Sequence, residues 1–204
     1  MYKLTDRMLQ ALEKDLRKFH ELFQGGRCQA WQLEELIAKA IRSDFSKHEK
    51  VVWKGSGHDI GSDIIVNDKF EIQIKSGEVK KVKLYGIKED FLILSGHRLG
   101  RFKSNLEEMT NFLNKNTYFL MAVPYQEKEN ELGKSHNYQI LYIDTQILQI
   151  EDYTKWKKPN ESYYYINSKG VIFSISPSMS WQIWWRIPLR ILMENDKTRV
   201  ISIN

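Results

Sequence analysis

Cysteine is almost absent. Cys28 stands alone in 204 residues, so neither an internal disulfide nor a multi-cysteine zinc site can form. It is expected to be a small buried residue in a reducing, cytoplasmic compartment. Long apolar runs are missing as well. No stretch approaches the roughly 18 residues of a membrane span. The opening MYKLTDRMLQALEKD is charged throughout, without the apolar centre of a secretory leader. There is no internal repeat, no low-complexity linker and no G-x-x-x-x-G-K-[ST] phosphate loop. The five histidines show no H-E-x-x-H spacing. What is present, 42% hydrophobic and 28% charged residues, is the balance of an ordinary globular chain about one domain long.

The charge is unevenly placed. Between Lys75 and Lys103 there are eight Lys/Arg against three acids, a local excess equal to the whole net charge of +5. A single basic zone in an otherwise neutral chain suits either a polyanion, most simply nucleic acid, or a solvated lysine-rich surface.

Periodicity gives the organisation. Leu4, Met8, Leu12, Leu16, Phe19 and Phe23 predict an amphipathic helix from about Thr5 to Gly25-Gly26. Leu33, Leu36, Ile37, Ala40 and Ile41 predict a second, over 29–43. The period then shortens. Val51–Trp53, Asp63–Val66 and Lys69–Lys75 read as strands; Gly55, Gly57 and Gly61 mark a loop, and Asn67-Asp68 a hairpin turn. A strand at Phe91–Leu94 is followed by Ser104-x-x-Glu107, a capping box opening a helix to about Asn114. Thr117–Val123 reads as a buried strand, Gln126–His136 as a polar loop and Tyr138–Asp144 as a strand. Short strands follow at 163–166, 171–175, 181–187 and 200–203. The class is α+β (α/β/α-type): a helix-strand-strand-strand-helix-strand core over 29–124 within one domain, with an N-terminal helix and a β-rich extension over 125–204.

One segment concentrates polar chemistry. In GHDIGSDIIVNDKFEIQIKSG, Gly57–Gly77, Asp63 opens one strand and a tight turn returns the next beside it. That strand sets Phe70, Ile72 and Ile74 on one face and Glu71, Gln73 and Lys75 on the other. A carboxylate, an amide oxygen and an ammonium thus converge on one hairpin edge. Oxygen ligands suit Mg²⁺, which activates water and binds phosphate oxygen, while lysine stabilises growing phosphate charge.

These residues resemble the active-site hairpin of the PD-(D/E)XK nuclease superfamily, in its Q-x-K, Mrr-like restriction-nuclease variant. Gly57-x-Asp59 and Asp63 match the first part of its pattern, Gln73-x-Lys75 the second. The αβββαβ order is also that family's core, and the resemblance covers about 29–124. It implies Asp63 and Gln73 as metal ligands, Lys75 as the catalytic lysine and Mg²⁺ as cofactor. Leu33-Glu34-Glu35-Leu36-Ile37-Ala38 resembles the family's helix motif, with Glu34 in register and Glu35 as fallback. Two departures stand out: no proline precedes Asp63, and glutamine replaces the second acid. Asp63, Glu71 and Gln73 offer a second, E-x-Q register on the same surface.

The resemblance implies a type II restriction endonuclease acting on double-stranded DNA as a homodimer. A structure-specific or modification-dependent nuclease is the alternative within the class, and a non-catalytic DNA-binding module the alternative outside it. Lys80, Lys81 and Lys83 are expected to hold phosphates. Arg98, Arg101 and Lys103, in a loop over 95–103, are expected to grip phosphates or read guanine edges. In the C-terminal third, Trp181, Ile183 and Trp185 alternate into the core, leaving Trp184 and Arg186 outward, toward DNA or a partner subunit.

Overall fold

The computed structural model describes residues 2–23, 26–46, 48–54, 62–103, 105–116, 119–130, 133–193 and 198–203. The chain forms two units. Unit 1 comprises Met1–Ser76, Tyr118–Tyr142 and Arg199–Asn204; unit 2 comprises Gly77–Thr117 and Ile143–Thr198. Both are discontinuous in sequence, and both contain strands and helices, so the class is α+β, as the sequence predicts.

Unit 1 begins with α1, Asp6–Leu22, capped by Thr5, whose Oγ1 accepts from the Met8 amide at 3.3 Å. Met8, Leu12 and Leu16 recur every four residues and are fully buried. α2, Ala30–Arg42, buries Leu33, Ile37 and Ile41 in the same manner. Both helices pack on Ile64, Val66, Ile72 and Ile74 and on Met121, Val123 and Ile140. The first group belongs to an antiparallel meander: β1 Val51–Trp53, β2 Ile64–Val66 and the start of β3, Phe70–Leu84. Asn67 and Asp68 both hold positive φ, 54° and 51°, in the three-residue connection that closes on the Val66↔Phe70 pair, where the Lys69 amide donates to the Val66 carbonyl at 3.1 Å. Beside β3 come β5 Phe119–Asn130, β6 Gly133–Ile143 and β10 Thr198–Ile203 in that order.

Unit 2 is built on the second half of β3 and on β4, Ile87–Arg98, paired from Gly77↔Leu94 to Leu84↔Ile87. β9 Gln182–Pro188, β8 Ile172–Ile175 and β7 Tyr163–Ile166 follow, each antiparallel to the last. Ile183, Trp185 and Ile187 are buried along one face of β9, and Trp184 and Arg186 alternate with them. A Cβ on Gly96 would run into the Trp185 indole and Ile183, so glycine is required where β4 bulges past β9. α3, Leu106–Lys115, buries Met109, Thr110 and Leu113, and Thr110 Oγ1 accepts from the Trp156 indole at 3.1 Å. A short α4, Leu189–Met193, follows β9.

Several elements depart from the sequence reading. β3 does not stop at Lys75 but runs on to Leu84, and β4 starts at Ile87 rather than Phe91. The stretch over 95–98 is strand, not loop. The polar run over 126–136 consists of the arms of β5 and β6, with 131–132 outside the described residues. Ser104 is also outside them. The cap of α3 is Asn105, whose side chain accepts from the Glu108 amide at 2.9 Å. Trp181 does not join the buried alternation. Its φ of 56° places it in the turn before β9, half-exposed. Among the described residues no helix is long and apolar enough to cross a membrane.

Candidate functional site

Asp63 continues the register of β2 one step beyond the Ile64↔Ile72 pair. Its amide donates to the Ile72 carbonyl at 2.9 Å, and its Oδ2 accepts from the Ile74 amide at 2.6 Å. The aspartate is thereby fastened to the β3 backbone on both sides of Gln73. Its own carbonyl accepts from the Lys54 amide at 3.1 Å, which ties the end of β1 to the same point.

The alternation along β3 separates roles sharply. Ile72 and Ile74 enter the core, and Gln73 between them is only 4% exposed. Lys75 is half-buried, while Glu71, opposite Ile65, is exposed. Burying an amide is unfavourable without polar partners, so Gln73 is held for more than solubility.

Glu34 reaches this group from α2. It occupies the half-buried side of the helix, one residue after the buried Leu33, whereas Glu35 is exposed. Burial and the charge of Asp63 push the Glu34 carboxyl up to about 7; the Trp53 indole and the Lys75 ammonium pull it back. That mutual influence brings Glu34, Asp63 and Lys75 into one electrostatic group. Trp53 was not singled out by the sequence reading. Its signal is its place at the end of β1, paired with Ile64, one residue from Asp63.

The donors gathered here are two carboxylates and an amide carbonyl, hard oxygens that fit Mg²⁺ rather than a thiolate- or imidazole-bound metal. Like charge between Glu34 and Asp63 is the condition a divalent cation relieves. Among the described residues, no group of three His, Cys, Asp or Glu side chains is assembled as a metal site. A cation here would therefore rely on Gln73 and water as well. Asp59, His58, Gly55, Gly57 and Gly61 lie outside the described residues.

The basic residues belong to unit 2 and do not form one patch. Lys80 shares its face of β3 with Val82; Lys81 and Lys83 project from the other. Lys83 stands opposite Lys88, and Lys81 opposite Asp90. A like-charged cross-strand pair is unfavourable by itself, so the Lys81–Lys83–Lys88 side of the hairpin suits an anion. Arg98 is exposed at the end of β4. Arg101 lies over the Phe102 and Phe112 rings, 4.7 and 4.5 Å from their centroids, and Lys103 lies 5.3 Å from that of Trp181.

No protein-family model and no curated protein matches the chain. Among solved structures, restriction endonuclease MvaI in the absence of DNA is similar at 12% identity over the full length of both chains, with a TM-score of 0.20. A likeness that slight carries no argument about fold or function.

Proposed function

We propose that unit 1 carries a Mg²⁺-dependent phosphodiesterase site and that the protein is a DNA endonuclease of the type II restriction kind. The observation that supports this reading most is the electrostatic coupling of Glu34, Asp63 and Lys75 around the buried Gln73.

Asp63 and Gln73 would hold the metal, with Glu34 as a further carboxylate. When bound, Mg²⁺ supplies a contact to a phosphate oxygen and lowers the pKa of a coordinated water. The remaining work falls to the chain. Asp63, fixed by the Ile74 amide, needs little reorganisation to present its carboxylate. Lys75 places a positive charge where the phosphate gains negative charge. Burial and the charge of Asp63 raise the Glu34 carboxyl to about 7, a like-charge cost that a cation between the two carboxylates would remove. The Gln73/Lys75 register is preferred to Glu71/Gln73 because Glu71 is exposed and does not contribute to the shift at Glu34.

Cutting both strands of a duplex needs two such sites, hence a symmetric homodimer on double-stranded DNA. The Lys81–Lys83–Lys88 side would supply sequence-independent phosphate contacts, and Arg98 is the better placed residue for reading bases, since rings already occupy Arg101. Incubation with phage DNA and Mg²⁺, read on a gel, tests the reading. Discrete fragments support it. Cleavage confined to branched or methylated DNA redirects it to a structure-specific or modification-dependent nuclease. Retarded but uncut DNA replaces it with a binding module.

A further inference from the structure

Unit 2 contains a cavity of about 490 Å³, within the size range of small-molecule sites. It opens on the face of the strands opposite the buried Trp185 row. Ile93, Val82 and Trp184 make its apolar wall, backed by the buried cluster of Phe91, Ile93 and Ile172. Arg186 and Trp184 line the cavity together with Ser174, all from neighbouring positions on β9 and β8.

Arg186 is the unusual group. It is half-buried, and its Nη1 donates to Ser174 Oγ, a neutral oxygen, at 2.6 Å. Among the described residues no carboxylate lies within 4.0 Å of it in an ion pair. Glu78, the one acid among the described residues of the wall, is more than half exposed and sits 3.9 Å from Lys80. Burial lowers the guanidinium's pKa, the mark of a cation removed from water without a compensating anion. Burying an unpaired charge is costly, so the site is built for an anion that is supplied from outside.

The walls add a second requirement. Trp184 gives its side chain to the lining, with Nε1 itself buried away from solvent. At the rim Tyr85 holds φ of 50°, a conformation costly for an aromatic residue, and its ring stacks on Tyr164 at 3.7 Å and 8°. That stack fixes one edge of the cavity. A ligand that answers these features has an anionic group for Arg186 and a flat apolar body for the wall of Val82, Ile93 and Trp184.

We propose that this cavity is a nucleotide site: phosphate on Arg186, base against the Trp184 wall. A phosphate on a guanidinium gains charge-assisted, bidentate hydrogen bonds, and an aromatic wall accepts any base with little regard to sequence. The nucleotide's source is either free nucleotide or a strand of nucleic acid with one nucleotide turned out of its stack. The site lies wholly within unit 2 and does not depend on the nuclease reading of unit 1.

Calorimetric titration of the intact protein with dAMP, dCMP, inorganic phosphate and deoxyadenosine tests the site itself. A second titration uses a duplex with a single bulged nucleotide and its fully paired counterpart. Monophosphates bound about tenfold or more tightly than phosphate or nucleoside assign the site to free nucleotide. Preference for the bulged duplex, with monophosphates competing weakly, assigns it to a strand. In either case R186Q should weaken that binding about tenfold, and W184F should weaken it less while keeping the ring. The comparison of nucleotide with phosphate on the wild type needs no variant to fold. A wild type that prefers neither monophosphate nor bulge overturns the site, as does unchanged affinity in a folded R186Q.

Discussion

The two halves of β3 are both rich in alternating polar residues, and the fold uses them in opposite ways. Over Phe70–Lys75 both faces are covered at the centre: Ile72 and Ile74 enter the core, Gln73 between them is sequestered, and Asp63 is fastened to the backbone on either side of it. Over Gly77–Leu84 lysines project from both faces and stay in water. A polar residue drawn out of water must be repaid by partners or by function, whereas a solvated lysine costs almost nothing. Burial, rather than charge density, therefore marks where chemistry is expected on this strand.

The sharpest contrast is in activity. Removing the charge of Lys75 (K75A), or neutralising Glu34 (E34Q), should lower DNA cleavage by about 10²–10³, the loss expected when one group stabilising transition-state charge is deleted. Time courses of plasmid cleavage at saturating Mg²⁺ give the ratio. Rates within a few-fold of wild type would reduce the buried half to ordinary packing.

Within that half, Gln73 and Glu71 are separated by burial alone. Q73A should cost about 1–3 kcal/mol of stability in denaturant titration, because it empties a buried site and leaves behind the groups that the amide satisfied. E71A should stay within about 0.5 kcal/mol and keep most of its cleavage. The opposite order would transfer the site to the Asp63/Glu71/Gln73 register.

The exposed half should answer to salt instead. Each lysine on a phosphate contributes about 0.9 to the slope of log affinity against log salt. Replacing Lys81, Lys83 and Lys88 by alanine should flatten that slope by close to three of these increments, and K80A alone by at most one. Filter binding at several salt concentrations measures both. Equal effects from the two faces would mean that the register in β3 does not divide the contacts.

The smallest effect concerns another buried polar group of unit 1. His20 stacks on His136, with centroids 3.7 Å apart, and its Nε2 lies 2.9 Å from Tyr138 Oη. Burial, and then the neighbouring His136, lower its pKa from 6.5 to about 4. The unfolded chain then binds the proton more readily than the folded one. Stability from this group is complete above pH 6.5 and is lost as pH falls toward 4. Denaturant midpoints at pH 7.5 and 4.5 should converge in H20Q relative to wild type.

Much of unit 1 was legible because its helices and short strands bury one face and so print their period on the sequence. Met8, Leu12 and Leu16, or Ile72 and Ile74, are such prints. The long hairpins were not, for the converse reason. In Lys80–Leu84 and Ile87–Asp90 the lysines are exposed and Val82, Leu84 and Ile87 are only partly buried, and residues 126–129 are polar and exposed, so the apolar alternation is weak. The β3–β4 turn also hid itself, with Tyr85-Gly86 in place of the usual Asn-Gly. Asp63, Gln73 and Lys75 were legible as a motif, but Trp53 was not, since its relation to Glu34 arises only when α2 packs on the meander. Trp184 and Arg186 were read as outward-facing; that they line a cavity depends on the neighbouring strands.

The central claim is that the buried end of β3 is a metal-dependent cleavage site. The most direct measurement is the cleavage of supercoiled plasmid by wild type and D63A, each with Mg²⁺ and with EDTA, alongside duplex binding in Ca²⁺. The account predicts that wild type cuts only with Mg²⁺, and that D63A binds in Ca²⁺ like wild type yet leaves the plasmid intact. A folded D63A that cuts at the wild-type rate, or a wild type that cuts equally in EDTA, would contradict it.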